Sequence, residues 1–265
     1  MIEKTPPDSD RLVAVDAAVI AVVSLAICLW CRRLGWMTIL VPAVILARLA
    51  VLARFARHEV NLRAEVLFLA ICTLVGAFND WNSVVRHRIY DYTVPHEFAW
   101  STIPIWMLLF WGMILRFFAR LARWRRLSPP EWPSDRIGFG RFSVENGFLK
   151  VAALLTLIFG TRQAIYHYYL DPLWSWLPFL FGVALYLMLF HSTRHDLRLV
   201  GLFLVGGPLI EMLYIQVGGL HRYPLGWLFG VPLWIVVWWL LAVLVWKDLA
   251  FRLERGLGRF FAEPR

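Results

Sequence analysis

Two carboxylates in this chain stand twelve residues before a tyrosine, each within or beside an apolar run. Asp80 lies in "FNDWNSVVRHRIYDY" ahead of Tyr92, and Glu211 lies in "LIEMLYIQVGGLHRY" ahead of Tyr223. An ionised carboxylate in hydrocarbon costs about 3 kcal/mol or more, so such a group is neutral, paired or faces a wet cavity, and it marks a functional site by default. Two acids held in different surroundings can divide the roles of general acid and general base, because their pKa values separate. Glu211 is therefore the expected proton donor and Asp80 its partner acid or base. His221 and Tyr223 would orient or relay the proton, or steady a cation through the ring face. Arg88 and Arg222 are candidates to hold a polar end of the substrate, with Tyr92 and Asn79 beside them. The competing readings are structural. Glu211 would be a protonated acid bonding a neighbouring helix, Asp80 an interfacial cap or a partner of Arg86 or Arg88, and the Tyr and Arg residues membrane anchors.

The elements that must carry these residues follow from composition. The chain has 265 residues, 60% hydrophobic and 17% charged, with a mean hydropathy of +0.63, which fits an all-α polytopic membrane protein and not a soluble domain. Apolar runs of roughly bilayer length predict about eight spans, at 12–31, 37–54, 64–82, 98–118, 147–167, 174–191, 199–217 and 228–249. The polar start "MIEKTPPDSDR" has no small-residue cleavage site soon after it, so the first run is expected to be retained.

The net charge of +9 is carried almost wholly by arginine. In a membrane protein it reads as topology, not as a nucleic-acid surface. Arg116, Arg120, Arg123, Arg125, Arg126, Arg136 and Arg141 lie between spans four and five, and Arg252, Arg255, Arg259 and Arg265 follow span eight. They share one side with Arg54, Arg57, Arg63, Arg194 and Arg198 if both termini of a multi-pass inner-membrane protein are cytoplasmic. Arg32, Arg33, Arg86, Arg88 and Arg222 oppose that count. Lys247 in "VWKDL" reads as a snorkelling lysine at the cytoplasmic end.

Residues 120–146, rich in Arg, Pro and Gly, form the one substantial extramembrane piece and suit an anionic leaflet. They divide the chain into 1–119 and 147–265. The halves share "RHE" and "RHD", then "LFL", then the acid, the tyrosine and a P-x-W run (Pro104 and Pro232) in one order. Four spans per half keep the same orientation, so the expected architecture is two parallel four-helix repeats with the useful cavity between them. Each proline is placed for a helix start or a kink.

Cys28, Cys31 and Cys72 read as small buried hydrophobes, because the "CLWC" pair has no second pair and no matching histidine. No phosphate-cradling loop, HExxH or GxSxG pattern is present, so no metal or cofactor is expected.

In the second half, Glu211, "GGLHRYP" and "GVPLWIVVWW" resemble the pattern of membrane-embedded carotenoid hydratases and, more broadly, of small membrane isoprenoid cyclases. The resemblance covers about residues 205–240. His221 stands where a Tyr or Phe is expected, and the first half matches poorly. What it implies is protonation of a polyene or isoprenoid double bond, followed by water addition or ring closure. The expectation is thus a membrane enzyme of hydratase, cyclase or isomerase type, with membrane lipids and an apolar or amphiphilic substrate as partners. The alternatives are a proton-coupled carrier, or a non-catalytic subunit whose acid pairs with an arginine of a membrane partner or a second copy.

Overall fold

A computed structural model describes residues 8–127 and 134–261 of the chain. These residues form eight α-helices: α1 (Asp10–Trp30), α2 (Leu34–Phe55), α3 (Leu62–Trp81), α4 (Ile105–Ala122), α5 (Gly147–Tyr168), α6 (Leu177–Leu189), α7 (Arg194–Leu213) and α8 (Leu233–Phe260). Their starts are chemically marked. The Ser9 and Asn61 side chains accept from backbone amides of the first turns of α1 and α3, Asn146 does so for α5, and Thr193 with Asp196 closes a capping box on α7. Pro104 and Pro232 immediately precede α4 and α8, so they start helices and do not kink them.

Seven of these helices are long and apolar enough to cross a bilayer. The sixth expected span, at 174–191, is shorter than its composition suggested. Asp171 accepts from the Leu173 and Trp174 amides and holds a turn there, Pro178 sets the start of α6, and His191 takes a left-handed φ of 50° just beyond it. That leaves 13 residues, about 20 Å against a hydrocarbon core of about 30 Å. At the other extreme, α8 runs 28 residues and includes most of what reads as a basic tail.

Helices α4 and α8 form the centre, with Trp106, Phe110 and Met113 of one and Trp234, Leu241 and Leu244 of the other buried. One end of the bundle is built on buried ion pairs. Arg48 bonds Asp16 at 2.6 Å and Glu65 at 2.5 Å. Arg116 bonds Glu65 and Glu254, both at 2.8 Å, and Arg120 approaches Asp16 and Glu65 at 3.1 Å. Arg116 and Arg120 are therefore not loop residues that report topology. They sit inside α4, where the carboxylates of α1 and α3 neutralise them. Lys247 does not snorkel either: it is buried against Asp196, while Lys150 meets Asp248 at 3.2 Å.

At the opposite end, α3 and α7 each run on into a turn of π-helix, Asn82–Arg86 and Tyr214–Gly218. Each then reverses through a left-handed residue, Arg88 (φ 53°) and Gly219 (φ 60°). The amides that follow close on matching carbonyls, Ile89 to Ser83 and Leu220 to Tyr214, both at 2.9 Å. Among the described residues there are four short strands: β1 (Asp91–Tyr92), β2 (Arg136–Ile137), β3 (Val144–Glu145) and β4 (His221–Arg222). β1 pairs antiparallel with β4, setting Asp91 opposite Arg222 and Tyr92 opposite His221; β2 pairs with β3.

Candidate functional site

The twelve-residue spacing has a geometric origin. Each acid ends a long helix, and the reversing turn brings back a short extended segment whose alternate residues share a face. On the first segment that face carries Tyr90 and Tyr92. Both hydroxyls donate to Asp80, Tyr92 at 2.7 Å, and Asp80 is fully buried. On the second it carries His221 and Tyr223. His221 Nε2 lies 2.9 Å from Glu211 Oε2, and the Tyr223 hydroxyl reaches the same oxygen at 3.5 Å. Either a neutral His221 donates to the carboxylate or a protonated Glu211 donates to the ring, so this contact can hold one transferable proton.

The β1–β4 ladder presses the two faces together. Ring centroids lie 5.7 Å apart for Tyr90 and His221, 5.3 Å for Tyr90 and Tyr223, and 6.1 Å for Tyr92 and His221. Burial, reinforced by the adjacent carboxylates, pushes the Tyr90, Tyr92 and Tyr223 hydroxyls well above the ordinary phenol range. They stay protonated and act as donors. Trp111 of α4 stacks at 6.2 Å on Trp239 of α8, with the Trp111 indole beside Asp80 and Tyr92.

From the ring cluster a cavity of about 410 Å³ extends between α4 and α7. Glu211, His221, Tyr90, Tyr92 and Tyr223 line one end. The remainder is lined by Met107 to Leu121 of α4 and Leu202 to Ile210 of α7, and by Phe118, Phe203 and Trp239 among its rings. Met107 and Leu121 are fourteen residues apart, about 21 Å along the helix at 1.5 Å per residue. No lysine or arginine is among the described lining residues.

Of the residues expected at the site, Glu211, His221, Tyr223 and Tyr92 converge on this cavity. Asp80 joins them one layer back, bonded to two of the lining tyrosines. Arg88, Arg222 and Asn79 lie apart. Arg222 alternates to the other side of its strand and is exposed, with Asp91 3.9 Å away. Arg88 is exposed at the left-handed turn. Asn79 contributes its backbone carbonyl to the Ser83 hydroxyl and is not among the lining residues. Tyr90, which also lines the cavity, is not among the residues that the sequence singles out. Its signal was available, because it precedes Tyr92 by two residues as His221 precedes Tyr223. The signal for Trp111 and Trp239 lay in the P-x-W runs, since each stands seven residues after its proline.

No protein-family model matches this chain, and neither the curated proteins nor the solved structures compared with it include a significant match.

Proposed function

We propose that this is a membrane-embedded enzyme that protonates a carbon–carbon double bond of a lipid or isoprenoid chain. The observation that carries the reading is a carboxylate–imidazole pair, Glu211 with His221, at the end of an uncharged slot the length of a hydrocarbon chain. Glu211 delivers the proton to the alkene, and the π-faces of Tyr90, Tyr92, Tyr223 and His221 steady the carbocation that forms. Water addition, ring closure or double-bond migration then releases a proton, which the Glu211–His221 pair takes back, so a hydratase, cyclase or isomerase cycle closes with the pair restored. The absence of cations from the described lining favours a substrate whose buried part is neutral, so Arg88 and Arg222 have no part in holding it.

The same reading takes the chain as a parallel duplication. A constant offset of 131 links Asp80 to Glu211, Ser83 to Tyr214, Arg88 to Gly219, Tyr90 to His221 and Tyr92 to Tyr223. It also makes Asp91 and Arg222, which face each other in the ladder, equivalent positions on a two-fold axis between the halves. The acids would lie toward the outer face and both termini in the cytoplasm. Arg125, Arg126, Arg136 and Arg141 support that orientation once Arg116 and Arg120 are taken out of the count.

The test needs no knowledge of the product. The protein, in detergent micelles in D2O, is incubated with lipid extracted from its source membranes, and the lipids are examined by mass spectrometry. Wild type is expected to place carbon-bound deuterium in an isoprenoid lipid. Glu211→Gln is expected to abolish the label with little change in melting temperature. No label with wild type, together with pH-gradient-driven solute uptake into liposomes, would instead identify a carrier.

A further inference from the structure

We propose that the chain enters the slot sideways from the bilayer, between α1 and α7, and that Gly206 determines how long a chain the slot accepts. This rests on reading the slot as a substrate site. Helices α1 and α7 are tied together at the ring-cluster end, where Ser24 and Tyr214 share a hydrogen bond of 2.7 Å and the Cys31 thiol donates to the Gly218 carbonyl at 2.9 Å. At the far end the Trp124 indole donates to Asp10 at 2.8 Å, and Arg198 donates to the Leu127 carbonyl at 2.7 Å. Between these ties the slot is bordered by Ile20 of α1 and by Leu202, Gly206 and Ile210 of α7. Leu202 lines the cavity and is 42% exposed, as a residue at an opening between the helices would be.

The adjacent glycines of α7 have different reasons to be glycine. A Cβ on Gly207 would fall 2.7 Å from the Trp239 ring, so close helix packing excludes a side chain. A Cβ on Gly206 would meet nothing within 4 Å, so packing does not require glycine there, and glycine in a helix sacrifices backbone entropy. What its small size provides is open space in the slot at the level of the window. Gly206 lies five residues from Glu211, about 7.5 Å along the helix axis. A chain of many isoprene units whose reacting end sits at Glu211 must run well past Gly206, whereas a chain of two units ends near its level. A large side chain at 206 would close the slot to long chains and leave a stub for short ones.

The experiment measures binding, not turnover. Wild type, Gly206→Phe, Gly206→Leu and Gly201→Phe are titrated in micelles with a short and a long linear prenyl alcohol, geraniol and solanesol, and occupancy is read by native mass spectrometry. Gly201 also has nothing within 4 Å of a built Cβ and is not a lining residue, so it controls for a large side chain on α7. Solanesol affinity is expected to fall at least about ten-fold in Gly206→Phe and by less in Gly206→Leu. Geraniol should be retained within about two-fold, and both ligands unchanged in Gly201→Phe, a ten-fold step being well above the scatter of such titrations. Gly206→Leu keeps the test standing if the phenylalanine variant folds poorly. Unchanged solanesol binding in both Gly206 variants, or equal loss of the two ligands at an unchanged melting temperature, would overturn the proposal. Wild type binding neither ligand would overturn it together with the substrate-site reading. Because Glu211→Gln leaves the slot in place, absence of proton transfer does not affect this measurement.

Discussion

Asp80 accepts hydrogen bonds from Tyr90 and Tyr92 and is closed off behind them, whereas Glu211 meets His221 and Tyr223 and looks into the slot. The local frames match turn for turn; the surroundings do not. Beside Asp80, α3 lies against α4 so closely that a Cβ on Gly76 would come 2.6 Å from Trp111, and one on Gly112 would collide with Thr73. Phe68, Cys72, Ala250 and Trp246 fill the space between α3 and α8. Beside Glu211, the corresponding space between α7 and α4 is the cavity. An acid enclosed by two tyrosines has its charge satisfied and exchanges slowly with anything outside. An acid paired with imidazole at an open wall can give up a proton and recover it. On the proposed reading one half of the molecule kept the frame as a support, and the other uses it for chemistry.

The largest expected effects lie at the far end of the same two helices, fifteen residues before each acid. Glu65 serves Arg48, Arg116 and Arg120 together, while Asp196 serves Lys247. Removing one partner of a buried ion pair costs about 3–5 kcal/mol because the remaining charge is stranded. Glu65→Ala leaves three guanidinium groups that cannot deprotonate with only Asp16 and Glu254 to neutralise them, so it should fall at the top of that range or lose monodisperse protein altogether. Asp196→Ala leaves an amine that can shed its proton, so thermal melts in detergent should place it clearly above Glu65→Ala. Equal losses would mean that the two ends are supported alike.

At the acids themselves the order of stability and activity should invert. Asp80→Ala leaves two buried phenols without an acceptor, at about 1–3 kcal/mol for each unsatisfied group. Glu211→Ala strands a histidine that borders a cavity, which should cost about 1 kcal/mol. In the D2O assay Glu211→Ala should lose all label, while Asp80→Asn, which keeps one carbonyl acceptor, should retain a measurable fraction. Full activity in Glu211→Ala with none in Asp80→Asn would assign the chemistry to the wrong half.

Much of this frame was legible in the sequence, for stateable reasons. Long apolar runs become helices because a bilayer leaves few other ways to satisfy the backbone, and seven of the expected runs did so within a few residues at most boundaries. The spacing of acid and tyrosine survived because a turn of fixed length and a two-residue alternation set it. Arg116, Arg120 and Lys247 were misread because a basic residue near a helix end looks the same whether it faces phosphate or a carboxylate from a helix far away in the chain. Arg88 and Arg222 lie away from the slot because their direction is set by a left-handed turn and by strand alternation, neither of which composition reveals. A cavity between the halves is expected from the repeat, but the position and length of the slot were not legible, since open and filled space between helices are made of the same residue types.

The two neighbouring glycines sharpen the contrast at smaller scale. Gly207→Ala drives a methyl group into Trp239 and should cost about 1–3 kcal/mol as overpacking. Gly206→Ala adds the same methyl to open space and should stabilise by about 0.5–1 kcal/mol through the helix backbone alone. The melting temperatures should therefore move in opposite directions from substitutions one residue apart. A loss in both would show that the wall of the slot is as tightly packed as the α7–α8 contact.

The smallest effect separates the two tyrosines at matching positions. The Tyr92 hydroxyl donates to Asp80 at 2.7 Å, but Tyr223 reaches Glu211 only at 3.5 Å, the outer limit of a hydrogen bond. Tyr92→Phe should therefore cost about 1–2 kcal/mol, the worth of a hydrogen bond to a charged or strongly polar acceptor, whereas Tyr223→Phe should cost only a few tenths. Its consequence should be kinetic: with His221 left as the only side chain bonded to Glu211, the rate of deuterium incorporation should fall several-fold while the melt is unchanged. If Tyr223→Phe instead destabilised as much as Tyr92→Phe, Glu211 would be as firmly enclosed as Asp80, and the distinction between a supporting acid and a working one would fail.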